Sequence, residues 1–506
     1  MGTAQSKRLY IIGAGFAGRK LAQEIREKAV FGEAVAFLDD DPEKIGRQID
    51  GIPVLGPIRD VARLLRTMAA DEAVIAMPTA SREYLKDLYG ILKAAGFEKI
   101  RILPGIAQIV EGDAHLVQTR SIDLQDLLGR TPVAVQLKKS IAYLREKRVL
   151  VTGAGGSIGS ELCRQLLSAG VQRLYLFGHG ENSIYQIDRE LRLLQNEGVG
   201  EKTVVIPVLG DLKDRDFLGY ILGKLRADVI FHAAAYKHVP MTEENPVAGI
   251  QNNVFGTRNL VEAAMKNGIK RFVLITTDKA VEPVSVYGAS KHLCERIVLE
   301  AAKTEPGANK NESPNTRSVP RPDSQTQFMG VRFGNVLGSR GSIVPLFQTQ
   351  IEQGGPVTIT HPDTRRWFMT IPEACSLVLK AGGVGKNGEL YLLDMGESVK
   401  IKDIAEQMIR FYGYEPGTDI KIETIGLRPG ERLDERLCGS DEEPAPTGEE
   451  GILVVHKKPT VRPPLSVILE RLRPVCFLDR NAPAAYRNTT LLRKILKEAA
   501  PTLNVS

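Results

Sequence analysis

An apolar segment that runs directly into a glycine-rich turn constrains the fold of this 506-residue chain more than any other feature. Arg148–Val151 is short and β-branched, and Gly153, Gly156 and Gly159 follow it at Gly-x-x-Gly-x-x-Gly spacing. A helical pattern begins at Ser160. Glycine at these points permits a tight turn, close approach of a pyrophosphate to the backbone, and packing of helix on strand. The segment therefore predicts the start of a dinucleotide-binding α/β domain, with Ser157 and Ile158 of the turn beside the cofactor.

The same pattern occurs near the N-terminus. The apolar segment Arg8–Ile12 leads into Gly13-Ala-Gly15-Phe-Ala-Gly18, and a second strand pattern, Ala34–Leu38, ends in Asp39-Asp-Asp41. An acid at that point commonly binds a ribose. We therefore expect a Rossmann-like domain over residues 1–135. Whether it binds a nucleotide stays open, because the glycines can also serve packing alone.

Strand and helix patterns alternate through both parts of the chain, which predicts an α/β protein with two Rossmann-like parallel-sheet domains. We expect a linker at 136–147 and a second domain at 148–440, an extended short-chain dehydrogenase with a smaller C-terminal substrate-binding part. Residues 304–327 are polar and rich in proline, so we expect a disordered insertion. Residues 441–506 lose clear periodicity and are expected to form a C-terminal extension.

Further cofactor-binding candidates follow the strand patterns of the second domain. The position where a ribose-binding acid is usual holds Gly178-His179, with Glu181 close behind, so the choice between NAD and NADP stays open. Asp211 and Leu212 follow the next strand pattern, where the carboxylate could meet an adenine amino group. Ala233 and Ala234 follow another, and such small side chains let a cofactor lie against the backbone.

The chain's best proton-handling groups follow the apolar segment Arg271–Ile275. Thr277, Asp278 and Lys279 would lie at the carboxyl end of this strand, where open α/β sheets bind ligands. Tyr287 and Lys291 are four residues apart, so on a helix they share a face and the ammonium is expected to lower the phenol's pKa. The alternative is an ordinary surface pair. The preceding Asp-Lys pair and the nucleotide-binding context favour catalysis, with Lys291 also contacting the cofactor.

Other polar residues are candidates for binding a phosphate-bearing substrate. The Gly-, Asn- and Arg-rich turn at 333–342 suits the wall of such a site. Guanidinium groups further along could grip a diphosphate, although solvated salt bridges are the alternative. The candidates are Lys237, His238, Asn335, Arg340, Arg366 and Arg428.

Composition excludes several classes of protein. The chain is 43% hydrophobic and 25% charged, and its net charge of +6 is not gathered into a basic run, so nucleic acid is not an expected partner. The five cysteines have no metal-ligand spacing, which argues for a reducing compartment and against a metal site. No apolar run is long enough for a membrane span. We expect a cytoplasmic protein that forms a homo-oligomer.

Several ordered motifs together resemble one enzyme family. Residues 149 to about 437 are similar to nucleotide-sugar 4,6-dehydratases of the capsular polysaccharide branch of the extended short-chain dehydrogenase/reductase superfamily. Residues 8 to about 135 resemble the Rossmann-like domain that precedes the catalytic domain in long members. The motifs are Thr152-Gly-Ala-Gly-Gly-Ser-Ile-Gly159, Phe231-His-Ala-Ala-Ala-Tyr-Lys-His-Val-Pro240, Thr277-Asp-Lys-Ala280, Val331-Arg-Phe-Gly-Asn-Val-Leu-Gly-Ser-Arg-Gly-Ser342 and Arg366-Trp-Phe-Met-Thr-Ile-Pro-Glu373.

The resemblance implies a mechanism and a substrate. Tightly bound NAD or NADP would take hydride from C4 of UDP-N-acetylglucosamine while Tyr287, tuned by Lys291, takes the hydroxyl proton. Lys279 would remove the C5 proton, Asp278 would protonate the departing C6 hydroxyl, and Thr277 would orient intermediates.

Three departures from the family keep alternatives open. Long members usually begin with membrane helices that this sequence lacks, so it resembles a cytosolic or trimmed form. Tyr287 stands where long members commonly have Met, which leaves the C5 configuration of the product open. Gly178 replaces the expected acid. A UDP-sugar 4-epimerase, which needs no Asp278 or Lys279, is the alternative activity, and a non-catalytic dinucleotide-sensing scaffold is the other.

Overall fold

The computed structural model describes residues 7–28, 32–77, 80, 82–97, 99–102, 120–121, 140–303, 326–412 and 414–504. The chain forms two compact units. The first comprises Met1–Thr131, Phe347–Val357 and Asp403–Glu423, and the second comprises Pro132–Leu346, Thr358–Lys402 and Thr424–Ser506. Both contain parallel sheets flanked by helices, so the predicted α/β class is confirmed. The two short segments of the first unit that come late in the chain lie within the range we assigned to the second domain.

The N-terminal elements form a parallel sheet. Its strands are β1 Arg8–Ile12, β2 Glu33–Leu38, β3 Gln48–Ile49, β4 Ile52–Leu55, β5 Glu72–Ile75, β6 Lys99–Ile102 and β7 Arg120–Ser121. The helices are α1 Phe16–Lys28, α2 Val61–Thr67 and α3 Arg82–Ala94, with a 3-10 turn at Ile58–Asp60. The strand order is β3-β4-β2-β1-β5-β6-β7, and only β3 and β7 pair antiparallel to their neighbours among the described residues. Apolar residues of β1, β2 and β5 are buried on both faces, as a sheet covered by helices requires.

The glycines and the acid of the turn in this first sheet make close contacts within the protein. Gly13 has a φ of +103°, and a Cβ on Gly18 would lie 2.0 Å from the Gly13 carbonyl oxygen. Asp39, a candidate ribose ligand, accepts a hydrogen bond from the Ala14 amide at 2.8 Å and one from Lys44 at 3.3 Å. These contacts agree with a packing role for the glycines and do not decide whether the turn also binds a nucleotide.

From residue 140 onward the strands build a larger sheet and several small ones. They are β8 Arg148–Thr152, β9 Arg173–Gly178, β10 Val204–Leu209, β11 Val229–His232, β12 Arg271–Thr277, β13 Gln327–Phe333, β14 Asn335–Val336, β15 Val357–Ile359, β16 Arg365–Met369, β17 Leu390–Leu393, β18 Ser398–Lys400, β19 Ile422–Thr424, β20 Glu442–Pro446 and β21 Ile452–Lys457.

Helices alternate with these strands along the same part of the chain. They are α4 Ser157–Ser168, α5 Glu181–Asn196, α6 Arg215–Leu225, α7 Val239–Glu244, α8 Pro246–Ile250, α9 Gly256–Lys266, α10 Val286–Ala301, α11 Ile343–Glu352, α12 Ile371–Val384, α13 Ile401–Phe411, α14 Leu465–Cys476 and α15 Thr489–Ala499. A π-helical turn, Gln251–Phe255, joins α8 to α9, and 3-10 turns occur at Ala142–Leu144, Asp278–Ala280 and Pro483–Ala485.

The order of strands in the larger sheet locates the ligand crevice. The described strands run β10-β9-β8-β11-β12-β13-β17-β21-β20, parallel as far as β17 and antiparallel at the last two pairings. The chain proceeds outward in one direction from β8 to β10 and then in the other from β11. Open sheets bind ligands outside the carboxyl ends of the strands at such a switch point. The turn after β8 and the residues after β11 and β12 are therefore brought to one edge.

Residues 441–504 are an integral part of this unit, which differs from the boundary that we predicted at 440. β20 and β21 extend the sheet, and Leu472 and Ile495 of the last two helices share a buried apolar cluster with Leu293 of α10. The strand signal was weak because β20 contains Pro444 and Pro446, which are tolerated at a sheet edge. The segment is needed to complete the sheet and to cover α10.

The predicted disordered insertion at 304–327 lies mostly outside the described residues, but Gln327 already begins β13. None of the helices within the described ranges is long and apolar enough to cross a membrane. The same part of the chain contains no cluster of three or more His, Cys, Asp or Glu side chains that could hold a metal ion.

Candidate active site

The turn after β8 has the geometry of a phosphate-binding turn. Gly153 has a φ of +66°, and a Cβ there would lie 2.8 Å from the Cα of Ala234. A Cβ on Gly159 would lie 2.1 Å from the Gly153 carbonyl oxygen. Gly156 is the N-cap of α4, so the amides of its first turn face the crevice. The three glycines allow the strand, the turn and the helix to approach one another this closely, and the helix N-terminus favours an anion.

A cavity of about 300 Å³ lies beside this turn at the carboxyl ends of β8, β9 and β11. Most of its lining is glycine or alanine, so bound groups can approach the backbone. Among the predicted cofactor residues, it includes Gly153, Gly156, Leu212, Ala233 and Ala234. A cavity lined by small residues at a helix N-terminus fits the pyrophosphate and adenosine of a dinucleotide.

Six other predicted cofactor residues, Glu181 and Asp211 among them, are not in this lining. Glu181 is exposed at the first position of α5. Asp211 forms an ion pair with Lys213 at 3.2 Å and accepts a hydrogen bond from the Lys213 amide. The described lining places His179 rather than an acid at the end of β9. This leaves the choice between NAD and NADP open.

Arg340 reaches across to the phosphate-binding turn. Its guanidinium donates to the Gly155 carbonyl, and its backbone amide donates to the Ser157 hydroxyl at 3.1 Å. We predicted Arg340 as a substrate ligand, and in the structure it is one of the residues that line the cavity beside this turn. Ile158, on the other side of the turn, packs against the apolar cluster beneath β8. Arg340 therefore covers the turn that Ile158 anchors.

Thr277, Asp278 and Lys279 come together at the end of β12. The Thr277 hydroxyl donates to Asp278 Oδ1 at 2.8 Å, and the Lys279 ammonium donates to the same oxygen at 3.1 Å. The side chain of Asp278 is fully buried, and its Oδ2 has no hydrogen-bond partner. One carboxylate oxygen is thus held in place by two hydrogen bonds, while the capacity of the other to accept a hydrogen bond is unused.

Lys279 has two further polar neighbours that belong to distant parts of the sequence. Its ammonium donates to Asn335 Oδ1 at 3.0 Å and lies 3.9 Å from Glu435 Oε1. Burial lowers the pKa of Lys279, but the charges of Asp278 and Glu435 outweigh this effect and raise the pKa overall. We did not predict Glu435 as a site residue, because no strand end or glycine turn marks its place in the sequence.

Tyr287 and Lys291 lie on the first turns of α10, as predicted. The Ser285 hydroxyl caps this helix by accepting from the Gly288 amide at 3.0 Å. A Cβ on Gly288 would lie 2.3 Å from the Lys279 carbonyl oxygen, so glycine lets the helix approach the 278–280 turn. The local sequence thereby brings the Tyr-Lys pair and the Asp-Lys pair into one site.

The predicted lowering of the Tyr287 pKa by Lys291 is not borne out. Burial raises the pKa of Tyr287, the charge of Asp278 raises it further, and a hydrogen bond with Thr277 opposes the rise only in part. Lys291 donates instead to the Ile275 carbonyl at 2.7 Å, and burial lowers its own pKa. The four-residue spacing predicted that Tyr287 and Lys291 share a helix face, but the pKa of Tyr287 depends on its burial and on where the Lys291 ammonium points.

Asn253 is a positioning residue that we did not predict. In the π-helical turn, its Oδ1 accepts from the Tyr236 amide at 2.8 Å, and its Nδ2 donates to the Tyr236 carbonyl at 3.0 Å and to Ser290 at 2.9 Å. It thereby ties the loop after β11 to α10. The sequence signal is an Asn-Asn pair within an apolar helical segment, and π-turns are frequent at functional sites.

The predicted substrate residues fall into two groups. Lys237 approaches the Ser339 hydroxyl at 3.5 Å, and burial together with the charges of Arg340 and Lys279 lowers its pKa. Burial and Lys237 lower the pKa of the neighbouring His238. With Asn335, these two residues lie on the segments that surround Lys279.

The other two candidates have different partners. The guanidinium of Arg366 is buried and donates to the backbone carbonyls of Arg365, Arg432 and Leu433. Arg428 is half-exposed and paired with Glu431 at 2.6 Å. The donors of Arg366 are therefore used to hold the 432–433 backbone, and those of Arg428 to bind a neighbouring carboxylate.

A buried ion network underlies the site. The guanidinium of Arg332 donates to Glu295 at 2.8 and 3.1 Å and to Glu442 at 2.6 and 3.0 Å. Thr276 of β12 donates to Glu295 at 3.0 Å. The network joins β12, β13, α10 and β20 directly below the Asp-Lys pair.

Comparison with known proteins agrees with the family suggested by the motifs. Residues 3–104 match the model of a "CoA-binding domain". The Staphylococcus aureus "Capsular polysaccharide biosynthesis protein CapD" is 40% identical over 440 residues, which cover 87% of this chain and 69% of that protein.

Two shorter relatives have different activities in their names. The Campylobacter jejuni "UDP-N-acetylglucosamine 4,6-dehydratase (inverting)" is 31% identical over 297 residues, 58% of this chain and 78% of the relative. The Rickettsia canadensis "UDP-glucose 4-epimerase" is 30% identical over 305 residues, 59% of this chain and 79% of the relative. Overall identity therefore does not separate the two activities. Residues 149–457 match the model of the "Polysaccharide biosynthesis protein" family, and the chain belongs to that family.

Proposed function

We propose that the chain is a nucleotide-sugar 4,6-dehydratase that converts a UDP-N-acetylhexosamine to its 4-keto-6-deoxy derivative for the synthesis of a surface polysaccharide or glycan. UDP-N-acetylglucosamine is the substrate to test first, since it is named for a relative that is 31% identical. One observation carries the proposal. Asp278 and Lys279 form a buried, hydrogen-bonded acid–base pair beside Tyr287, and the Asp278 Oδ2 has no partner.

The residues around the cavity fit a tightly bound NAD or NADP. Gly153, Gly156 and Gly159 would admit the pyrophosphate, Ala233 and Ala234 would lie against the cofactor, and Arg340 would cover the turn. When bound, the nicotinamide supplies a hydride acceptor for C4 of the sugar and a hydride donor for C6.

Tyr287 is the candidate for accepting the proton of the C4 hydroxyl. Because its pKa is raised, Tyr287 is a neutral phenol at neutral pH and needs a positive charge nearby before it can act as a base. Lys291, on the same face of α10, is the chain's candidate for that charge. To supply it, the Lys291 ammonium must give up its hydrogen bond to the Ile275 carbonyl and turn towards the phenol.

Lys279 and Asp278 are the candidates for elimination of water. The neutral amine of Lys279 would remove the C5 proton and pass it across their 3.1 Å hydrogen bond to the Asp278 carboxylate, and Asp278 would deliver it to the C6 hydroxyl, which leaves as water. The raised pKa of Lys279 makes it an ammonium at neutral pH, so it must release a proton before it can serve as the base. The unpartnered Oδ2 of Asp278 is the atom available for the proton transfer to C6. Thr277 would orient Asp278 through its bond to Oδ1.

A 4-epimerase is the second candidate, and the similarity to the Rickettsia canadensis protein favours it. Epimerisation would use Tyr287 and Lys291, but it expels no water and gives no role to the buried Asp278 and Lys279. The Asp-Lys pair is the reason for preferring a dehydratase.

A single incubation separates the activities. The purified protein is mixed with UDP-N-acetylglucosamine in deuterated water, and the products are followed by NMR and mass spectrometry. A product lighter by one water, with solvent deuterium at C5, is expected, and its C5 configuration distinguishes a retaining from an inverting enzyme. Interconversion with UDP-N-acetylgalactosamine would replace the proposal by epimerisation. If UDP-N-acetylglucosamine and other nucleotide sugars all stay unchanged, even with added NAD or NADP, the non-catalytic dinucleotide-sensing scaffold is the remaining interpretation.

A further inference from the structure

Glu435 is held rigidly beside the Asp-Lys pair. Its side chain is only 8% exposed, and Oε1 lies 3.9 Å from the Lys279 ammonium. The Trp367 indole donates to its backbone carbonyl at 3.0 Å. Arg366, the preceding residue of β16, donates to the carbonyls of the two residues at 432 and 433. β16 therefore holds the 432–435 backbone, and this fixes the carboxylate of Glu435 near Lys279.

The charged and titratable groups around Lys279 come from several elements. Asp278 lies on its own turn, Glu435 on the segment held by β16, and the phenol of Tyr287 on α10. The two carboxylates favour the protonated form of Lys279, whereas the positive charges of Arg366 on β16 and Lys237 in the loop after β11 disfavour it.

The hydrogen bonds of Lys279 also favour its protonated form. Asn335 and Asp278 accept hydrogen bonds from Lys279 at 3.0 and 3.1 Å. Glu435, slightly beyond hydrogen-bond distance at 3.9 Å, adds a negative charge on another side. All three oxygens favour an ammonium over a neutral amine, since an ammonium has three donors and no acceptor.

We propose that Glu435 is a positioning residue for Lys279: its carboxylate holds the amine beside Asp278 in the protonated form and thereby sets the pH above which Lys279 can act as the base. This inference rests on the proposed dehydratase function. It assigns Glu435 no contact with the sugar. Its effect is exerted through Lys279, so it must appear in the pH dependence of catalysis rather than only in the rate.

The test is the pH profile of kcat for dehydration of UDP-N-acetylglucosamine by the full chain and by Glu435→Gln. The substitution keeps the shape of the side chain and removes its charge. An opposite charge within this distance raises the pKa of an ammonium by roughly one to three. The acidic limb of the profile is therefore expected to move to lower pH by that amount. Below the limb, kcat of the variant should exceed that of the wild type by about tenfold for each pH unit that separates the two limbs.

Glu443→Gln is the matched control, because Glu443 is an exposed carboxylate on β20. It should leave the limb in place. Glu435→Asp keeps the charge at a greater distance and is expected to move the limb in the same direction by less. It also serves if circular dichroism shows that Glu435→Gln does not fold.

The outcomes separate this inference from the proposed function. If the wild type dehydrates the sugar, but the acidic limb of Glu435→Gln or Glu435→Asp lies at the wild-type pH or above it, only this inference is overturned. A uniform fall in kcat across the pH range would do the same, since it would indicate a purely structural role. No dehydration by the wild type would overturn the proposed function, and this inference with it.

Discussion

Replacement of Asp278 by Asn tests the dehydratase assignment most directly. The Asp278 side chain is fully buried, and its Oδ1 accepts from Thr277 at 2.8 Å and from Lys279 at 3.1 Å. An asparagine keeps the size of the side chain and can keep Oδ1 as an acceptor. It removes the carboxylate and puts an NH2 group in place of Oδ2, which has no partner.

The structure gives three expected magnitudes for Asp278→Asn. Loss of a general acid should lower kcat for dehydration by about 10² to 10⁴-fold. Loss of the charge 3.1 Å from Lys279 should lower the pKa of that amine by roughly one to three. The base is then more readily available, so exchange of the C5 proton should persist. A buried NH2 without a partner should cost about 1–3 kcal/mol of unfolding free energy.

The assay follows two signals from one incubation in deuterated water. Mass spectrometry measures loss of water, and NMR measures deuterium at C5 of recovered sugar nucleotide. Asp363→Asn, at an exposed side chain paired with Lys400 at 3.4 Å, is the control and should alter neither signal. Thermal unfolding of each variant reports whether it is folded.

Two results would refute the reasoning. A folded Asp278→Asn protein that loses water at the wild-type rate would mean that Asp278 is not the acid. A protein that loses C5 exchange together with water loss would mean that Asp278 removes the C5 proton or that Lys279 cannot act without it.

Three further predictions concern the rest of the site. Arg340→Ala removes the cover of the phosphate-binding turn, so the protein should retain less NAD or NADP through gel filtration, measured by absorbance, whereas Arg480→Ala at an exposed position should not. Tyr287→Phe should lower kcat by about 10² to 10⁴-fold without a change in melting temperature; a near-normal rate would exclude Tyr287 as the C4 base. Arg332→Met leaves two buried carboxylates without their main partner, so the unfolding free energy should fall by about 3–5 kcal/mol, followed in urea by fluorescence of Trp367, the single tryptophan. The exposed Arg471→Met should cost no more than about 1 kcal/mol, and an equal loss in both variants would contradict the role of the network.

The sequence by itself determined the parts of this protein that depend on neighbours along the chain. The glycines at 153, 156 and 159 were predictable because a strand, a tight turn and a helix are specified within a dozen residues, and the structure shows contacts that exclude a Cβ at Gly153 and Gly159. Asp278 and Lys279 were identified because ligands bind at strand ends, and Tyr287 with Lys291 because of helical spacing. The α/β class followed from the alternation of strands and helices.

Only the tertiary structure decided which groups these residues meet. Arg340, predicted as a substrate ligand, donates to the glycine-rich turn, and Arg366, predicted as a diphosphate ligand, donates to the backbone before Glu435. Residues 441–504 complete the sheet although their sequence has weak periodicity, since an edge strand tolerates proline.

The protonation states at the site were equally beyond the reach of the sequence. Spacing predicted a lowered pKa for Tyr287, yet burial and Asp278 raise it, and Lys279 is held protonated by Asp278 together with Glu435, which is far away along the chain. The physical reason is that spacing fixes which side chains share a turn or a face, whereas a pKa depends on solvent exclusion and on every charge within a few ångströms, and folding brings those charges from any part of the chain.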